Sequence, residues 1–458
     1  MKISKRLTTA VLAGILACGC GWSSWGNQQY NCWGPGRAQA AEQKAEKTEA
    51  APAETVHEDL PADQYAAGRV INGEKTVLAD SYAGLRTDES ALLVKNGADV
   101  TLSHSALSKT GDTTDVMASK YNGLNAAVLA AGGSLTMDSC TVTTKGIGSN
   151  ALYATGKTGF LKVHNTNIRT SADSSRGLDA TAGGKVEADN VNIGTTGIRS
   201  AAVATEPENA SVQLSKSTIN TSGEGSPLIY SKGDITVSEV KGKADKSEIA
   251  VVEGTNIIRL DYVDLSGNGT HGVMLYQNKP KVASEQVARL SVKNSALRSL
   301  KEGPLFFVTN TPGRIYTERT TLQYLGGELI QVSTATYGES GKNGGDLTFM
   351  ANQQNLYGDV TVDNLSSVVM DLQNGSTWSG AINTKHTAKK ADVKLDATSS
   401  WSLTADSYIN GLTDAVTGLT NIKGNGHTIY YDTKDANSAW LGGKTFDLQG
   451  GGQLKPLA

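Results

Sequence analysis

The sequence predicts an all-β solenoid whose stacked coils are each about 25 residues long. One pattern recurs four times between residues 123 and 223, and each copy ends on an aliphatic residue that serves as its anchor. The anchors are spaced by 26, 25 and 26 residues: Val142, Ile168, Ile193 and Ile219. A fixed period of this length is typical of repeat architectures in which each coil packs on its neighbours.

Each repeat contains two short strands. Apolar residues stand seven and five positions before every anchor, as Leu161 and Val163 do before Ile168. Spacing by two places such residues on one face of a β-strand. The same alternation opens each repeat, in the pairs Val128/Ala130, Leu152/Ala154, Leu178/Ala180 and Ala201/Val203. Because one coil cannot bury this apolar face alone, we expect the stacked coils to share one continuous core.

A small or polar residue marks a turn three positions before each anchor: Ser139, Asn165, Asn190 and Lys216. In a stack of coils, Asn165 and Asn190 lie one above the other. We therefore expect their side chains to form a hydrogen-bonded ladder at one corner, which Lys216 interrupts.

Residues 1–40 are predicted to be a secretory signal, since three positive charges precede the apolar run 7–17. Two processing sites remain open. Residues 38–40 read Ala-Gln-Ala, a small-x-small cleavage site, whereas residues 15–18 resemble a bacterial lipobox in which Cys18 would carry a lipid anchor. No later apolar run is long enough to span a membrane, so the body of the protein is expected to be exported.

Residues 41–66 are rich in Ala, Glu, Lys and Pro and are predicted to be a flexible spacer, in which His57 is solvated rather than a metal ligand. A parallel β-helix is predicted over residues 67–375. Residues 69–78 carry an Asn-Gly turn between two apolar runs, which predicts a hairpin that caps the first coil.

The repeat extends in both directions with less regularity. Val100, Leu102 and Leu107 mark a coil before the four clear repeats, and the insertion 109–121 separates it from them. Later anchors are predicted at Val240, Leu265, Leu297 and Leu322. The longer intervals are predicted to hold surface loops. Residues 376–458 are predicted to form the C-terminal end and cap, where Trp378, Trp401 and Trp440 close the apolar interior.

The composition fits short strands joined by many turns, with 51 glycines and 9 prolines among 458 residues. The formal net charge is −3 and becomes −7 without residues 1–40. That charge argues against a nucleic-acid partner and against charge-driven binding to anionic membranes. Cys140 is the one cysteine after residue 40, so we expect it to be an ordinary packed side chain.

The tail contains motifs at 374–380, 401–412 and 421–431 that resemble the C-terminal end of pertactin-like autotransporter passengers: NGSTWSG, WSLTADSYINGL and NIKGNGHTIYY. The coils resemble the right-handed parallel β-helix repeats of autotransporter passenger domains and pectate-lyase-like proteins. The resemblance covers roughly residues 69–458 and implies a bacterial surface protein. It also implies a following membrane β-barrel, which this sequence lacks. Export through another partner, a periplasmic location, a lipid tether and an envelope without that requirement therefore all remain open.

Polysaccharide lyases and hydrolases share this fold, so their chemistry must be considered. Lyases of this shape need acidic calcium ligands beside a base, and hydrolases need two or three carboxylates held together. His271 in Gly-Thr-His-Gly, with Asp261 and Asp264 upstream, faintly resembles a hydrolase motif but lacks the accompanying motifs.

Four charged residues around one turn offer a second candidate site, for a sugar acid: Arg169, Asp173, Arg176 and Asp179. A solvated charged loop is the simpler interpretation and the one we expect. His427 follows a Gly-Asn-Gly turn and is expected to support the end cap.

The sequence therefore predicts no catalytic, cofactor-binding or metal-binding residue. We expect an exported, adhesin-like or structural display scaffold at the cell surface or outside the cell, with host or microbial surface glycans or proteins as partners. A passive envelope component without a specific ligand is a further possibility. The alternative is a polysaccharide lyase or glycoside hydrolase of the pectate-lyase-like fold. Its carboxylates would have to be brought together from distant coils.

Overall fold

The computed structural model describes residues 64–207, 209–280 and 286–457, and these form a right-handed parallel β-helix, as predicted. Each of the first ten coils contributes one strand to each of three parallel sheets, named A, B and C in the order in which the chain visits them. The predicted signal, both processing sites and His57 lie outside the described residues, so these predictions stay untested.

Within the described residues, sheets A, B and C contain 12, 14 and 10 strands. The strands of sheet A are Ala66–Asn72, Glu89–Lys95, Val128–Ala131, Leu152–Thr155, Leu178–Thr181, Val203–Thr205, Ile229–Ser231, Ala250–Glu253, Val273–Tyr276, Phe306–Val308, Glu328–Val332 and Asp359–Val362. The strands of sheet B are Lys75–Leu78, Asp99–Ser103, Ser134–Asp138, Phe160–His164, Lys185–Asp189, Ser211–Ser215, Asp234–Ser238, Ile257–Asp261, Ala288–Lys293, Pro312–Glu318, Asp346–Asn352, Ser367–Gln373, Lys390–Leu395 and Gly411–Asp414. The strands of sheet C are Tyr82–Gly84, Ala106–Lys109, Thr141–Thr144, Asn167–Thr170, Asn192–Thr195, Thr218–Thr221, Lys241–Ala244, Asp264–Gly267, Ala296–Glu302 and Thr321–Leu325.

Two smaller sheets form the C-terminal end. Sheet D contains the parallel strands Asn355–Tyr357, Thr377–Ser379, Ser400–Ser402 and Ile422–Lys423. Sheet E contains Ser407–Ile409, Thr428–Tyr431, Gln453–Pro456 and Phe446–Asp447, the last of which is antiparallel to its neighbour. An α-helix at Val116–Asn122 and a 3₁₀-helix at Ala436–Leu441 complete the described elements.

The predicted core positions stack in register. Leu161 pairs with Leu135 on one side and Val186 on the other, and Ile168 pairs with Val142 and Ile193. All of these side chains are buried in one continuous hydrophobic cluster. The same cluster includes Cys140, which confirms that this cysteine is an ordinary packed side chain.

Two of the three C-terminal tryptophans continue the core. Trp378 and Trp401 are buried and stack with ring centroids 4.9 Å apart. The prediction was wrong for Trp440, which is 38% exposed on the 3₁₀-helix. Its indole Nε1 donates a hydrogen bond to the carbonyl of Leu412 at 2.7 Å, so its polar edge rather than its ring is anchored.

The register corrects two predicted positions. Leu178 pairs with Val203, so the strand opening the fourth repeat is Val203–Thr205, and Ala201 precedes it. Ile219 pairs with Gly242, so Gly242 and not Val240 holds the next anchor position. Because glycine has no apolar side chain, the sequence pattern placed the anchor at the nearest aliphatic residue, Val240.

The predicted N-terminal hairpin is also wrong. Ala66–Asn72 pairs with Glu89–Lys95 in sheet A, whereas Lys75–Leu78 pairs with Asp99–Ser103 in sheet B. The Asn-Gly turn therefore joins two strands of different sheets within one coil. Gly73 at this turn has φ +73°, a conformation that glycine adopts without a steric penalty.

The predicted amide ladder is present at the corner between sheets B and C. Asn190 Nδ2 donates to Asn165 Oδ1 at 2.6 Å, and Asn165 Nδ2 donates to Asp138 Oδ1 at 2.7 Å. Both asparagines have left-handed backbones, with φ of 51° and 50°, which asparagine tolerates better than most residues. Lys216 follows at the same corner position, with φ 48°, and ends this run of amides.

Candidate functional site

The outer face of sheet A is covered rather than solvated in its N-terminal part. Four outward-facing residues of successive sheet A strands lie in register, and all four are fully buried: Leu93, Leu129, Tyr153 and Asp179. Side chains at such alternate positions normally face water. Another element must therefore cover this face.

The cover is the insertion that the sequence predicted as a loop, and it contains the helix Val116–Asn122. Asp115 caps the helix by accepting hydrogen bonds from the backbone N–H groups of the first turn, and Gly123 ends it with φ +76°. The phenol of Tyr153 donates to the carbonyl of Lys120 at 2.6 Å, which ties the helix to sheet A. Gly123 is required here, because a Cβ at this position would lie 2.4 Å from the Tyr153 ring.

A network of buried charges lies on this face, and we call it the sheet A cluster: Arg176, Asp179, Glu206, Lys232 and Glu253. Arg176 Nη1 lies 2.6 Å from Asp179 Oδ2 and 2.6 Å from Glu206 Oε1. Lys232 Nζ lies 3.8 Å from Glu206 Oε2 and 3.3 Å from Glu253 Oε1. The cluster therefore joins carboxylates from three coils through two cations.

Aromatic and amide groups complete the surroundings of Glu253. Its carboxylate accepts hydrogen bonds from the phenols of Tyr230 and Tyr276, the latter at 2.8 Å, and from Asn278 Nδ2 at 3.2 Å. Arg176 also lies over the Tyr230 ring, 5.4 Å from its centroid. These contacts hold the charged side chains in fixed positions.

Burial changes the acid–base properties of the cluster. Loss of hydration, together with the nearby charge of Glu206, raises the pKa of Asp179 to about 7 against the opposing attraction of Arg176. Burial acts to lower the pKa of Arg176, but Asp179 and Glu206 outweigh it and hold that pKa well above its ordinary value. The cluster thus contains a carboxyl group that titrates near neutral pH beside a permanent cation.

We expect Asp179→Asn to change how stability depends on pH. An acid whose pKa is raised in the folded state stabilises the fold at low pH, and this contribution is lost between about pH 4 and pH 7 as the unfolded chain ionises first. From pH 4.5 to pH 7.5, the wild type should lose at least about 1.4 kcal/mol more unfolding free energy than the variant, the equivalent of one pKa unit. Urea unfolding at both pH values measures this difference.

The control for this experiment is Asp234→Asn, since the Asp234 side chain is 45% exposed. Its pH profile should run parallel to that of the wild type. Parallel profiles for Asp179→Asn and the wild type would show that Asp179 ionises normally.

A cleft of about 690 Å³ adjoins the cluster, and we call it the sheet A cleft. Lys232 and Glu253 form part of its wall, together with the turns that lead from sheet A to sheet B. Its other polar lining includes the side chains of Asn209, Asn256, Gln277 and Asn278. Amides and buried charges of this kind can orient a polar ligand such as a saccharide.

The four charged residues predicted around one turn do not form one site. Arg176 and Asp179 are buried in the cluster, so the expected solvated loop is wrong for these two. Arg169 Nη1 donates to the carbonyl of Asn192 at 2.9 Å, and Asp173 Oδ1 accepts from the backbone N–H of Ile198 at 2.8 Å. These two side chains therefore bind neighbouring coils rather than facing a common ligand.

His271 lies two residues before the sheet A strand Val273–Tyr276, apart from the aspartates that precede it in the sequence. Its ring stacks on Phe307 with centroids 4.2 Å apart, and its Nδ1 lies 3.7 Å from Glu248 Oε1. Asp261 accepts from Asn294, and Asp264 pairs with Arg298, both outside sheet A. The structure therefore brings His271 together with Glu248, which the sequence motif did not include.

His427 lies beside the strands of sheet E, where it is expected to support the cap. Its backbone N–H donates to the carbonyl of Gly424 at 2.9 Å, and its Nδ1 lies 3.8 Å from Asp406 Oδ1. Gly452, with φ +89°, approaches the His427 carbonyl so closely that a Cβ there would lie 1.9 Å from the oxygen.

The described residues contain neither a metal-binding cluster nor a membrane-spanning helix. Among residues 64–207, 209–280 and 286–457, His, Cys, Asp and Glu side chains form no group of three placed to hold a metal ion. In the same part of the chain, the helices are too short or too polar to cross a membrane.

The chain is similar in sequence to a known autotransporter. The chain is 24% identical over 329 residues to the BrkA autotransporter of Bordetella pertussis, across 69% of this chain and 29% of that protein. It thus spans less than a third of the length of this relative. No family model matches the chain, and no solved structure matches it. The similarity indicates an exported or cell-surface protein, and together with the stacked coils it is consistent with an autotransporter passenger-like right-handed parallel β-helix protein.

Proposed function

We propose that this protein is an adhesin-like display scaffold that presents an extended polar surface without catalysing a reaction. The observation that carries the proposal is the ion pairing of the sheet A cluster. Glu206 lies between Arg176 and Lys232, and Glu253 is held by Lys232 and two phenols. A catalytic carboxylate must exchange a proton with a substrate or attack it, and these contacts oppose both roles.

The outer face of sheet B supports a display role. Polar side chains lie in register along consecutive strands of this face: Lys162, Glu187, Gln213, Thr236 and Arg259. Parallel strands repeat about every 4.8 Å, so such a face offers evenly spaced hydrogen-bonding groups to a long partner. We propose that the partners are glycans or proteins of host or microbial surfaces.

Binding of the full chain to arrays of glycans and matrix proteins tests this proposal. We expect saturable binding, and we expect deletion of the gene to lower adherence of the producing cells. Gln213→Trp places a bulky side chain on the exposed face of sheet B and should weaken binding. Asn220→Trp, on the exposed face of sheet C, is the matched control. Unchanged adherence after deletion, with no ligand on either array, would contradict the proposal.

A polysaccharide lyase or glycoside hydrolase is the second candidate, favoured by the sheet A cleft beside Lys232 and Glu253. Incubation with pectin, alginate and hyaluronan should then release unsaturated or reducing ends. Glu253→Gln should abolish this activity, while Glu239→Gln, at an exposed position of another corner, should not. A negative screen over these polymers counts against this candidate.

We also propose export through removal of residues 1–40, with lipid attachment at Cys18 as the competing route. Mass spectrometry of the protein from its native host distinguishes them. A mature chain that begins at Ala41 supports removal of the signal, whereas a lipid-modified Cys18 at the N-terminus supports the tether.

A further inference from the structure

The corner between sheets B and C contains an exposed tyrosine in an unfavourable backbone conformation. Tyr262 has φ +52° and is 63% exposed. A left-handed conformation is unfavourable for so bulky a residue. The turn itself requires it, since Lys216, Glu239 and Arg319 hold the same corner position on other coils and are also left-handed. Asparagine tolerates this conformation better than most residues and recurs at the corner, as Asn165, Asn190 and Asn294.

Tyr262 borders a surface groove of about 480 Å³ that runs across three coils. Glu239 and Asn294 follow strand residues that pair with Asp261, so they hold the corner positions one coil before and one coil after Tyr262. The groove continues onto sheet C, where Lys241, Asp264 and Ala296 lie in register. Because alanine is short, Ala296 adds little side-chain bulk to the groove wall.

Two polar groups of the groove are held in place by partners from the next coils. Asp264 pairs with Arg298, and Asn294 Oδ1 accepts a hydrogen bond from Arg319 Nε at 2.9 Å. Both side chains remain partly exposed, so their free edges can accept or donate hydrogen bonds from hydroxyl groups. Fixed polar groups of this kind lose little conformational freedom when a ligand binds.

The charges of the groove favour an uncharged ligand. Glu239 and Lys241 have opposite charges and lie on the same coil, and Asp264 is neutralised by Arg298. An exposed aromatic ring can cover the apolar C–H face of a sugar ring, while neighbouring carboxylate and amide groups bind its hydroxyls. We propose that the Tyr262 groove binds a neutral hexopyranose unit of a glycan. This proposal concerns a site distant from the sheet A cleft and is independent of whether the whole protein is an adhesin.

Tyr262→Asn tests the proposal, because it removes the ring and installs the residue that this corner favours. Ligand-detected saturation-transfer NMR on the full chain, with maltohexaose, galactohexaose and mannohexaose as probes, measures binding. We expect the wild type to bind at least one of these probes and Tyr262→Asn to bind it about tenfold more weakly or worse. The thermal unfolding midpoint of the variant should not be lower than that of the wild type.

Two further variants make the result specific. Tyr262→Phe keeps the ring, so its dissociation constant for the probe should stay within about threefold of the wild-type value. Tyr357→Asn removes another tyrosine of similar exposure, 64%, and should leave binding unchanged. Failure of the wild type to bind all three probes, equal binding by Tyr262→Asn, or a lower unfolding midpoint for Tyr262→Asn would each overturn the proposal.

Discussion

Ile193→Asp should destabilise the protein by roughly 5 kcal/mol or more, since it removes a core side chain and buries a carboxyl group. Ile193 is fully buried in sheet C between Ile168 and Ile219, on the coils before and after it. Its apolar neighbours offer the carboxyl group neither water nor a cation. In a stack of coils, each of which contacts only its neighbours, the damage should also be local. Urea unfolding followed by circular dichroism measures the loss, and limited proteolysis should locate new cleavage near this coil.

The adjacent substitution Asn192→Asp is the matched control, because it adds the same charge one residue earlier on the same strand. Asn192 is exposed, since side chains alternate between the two faces of a strand. Surface changes of this kind are usually within about 0.5 kcal/mol of neutral. Equal effects of the two variants would contradict the inward direction of Ile193, and with it the shared core on which the fold depends.

The fold could be predicted from sequence because its core repeats. Leu161, Val186 and Val212 recur at nearly constant intervals, and each stacks on the one before it. The errors arose where the repeated position carried no aliphatic side chain, as at Gly242, or where an aromatic residue was placed by composition alone, as Trp440 was. Periodicity identifies positions, but it does not reveal which of them a glycine or a helical insertion occupies.

The sheet A cluster could not be predicted in the same way. Glu206, Lys232 and Glu253 occupy outward positions near the ends of sheet A strands, where charged residues are ordinarily solvated. Their burial depends on contacts such as that of Lys120, whose Nζ lies 3.9 Å from Glu206 and which comes from an insertion far earlier in the chain. A signal was nevertheless present, because aligning the repeats places Glu206, Lys232 and Glu253 in one column on three successive coils. A buried ion-pair network requires opposite charges on adjacent coils.

Arg176→Met should cost about 3–5 kcal/mol of unfolding free energy at pH 8, the usual effect of removing one partner from a buried ion pair. Methionine replaces much of the volume, so the loss should come mainly from leaving Asp179 and Glu206 without their cation. At pH 5 the penalty should be smaller, because Asp179, with its pKa already raised to about 7, can take up a proton. Urea unfolding at the two pH values measures both effects.

Arg259→Met is the matched control for this prediction, since Arg259 pairs with Asp234 on the surface and its side chain is 46% exposed. Exposed pairs contribute only about 0–1 kcal/mol, so this variant should remain close to the wild type at both pH values. A similarly small loss for Arg176→Met would mean that water reaches the sheet A cluster.

The folded Arg176→Met protein also separates the two proposed functions. A display scaffold should keep its adhesive binding when the cluster loses a charge. An enzyme that acts through Glu253 should change its pH–rate profile, because Glu206 and Lys232 link Arg176 to Glu253.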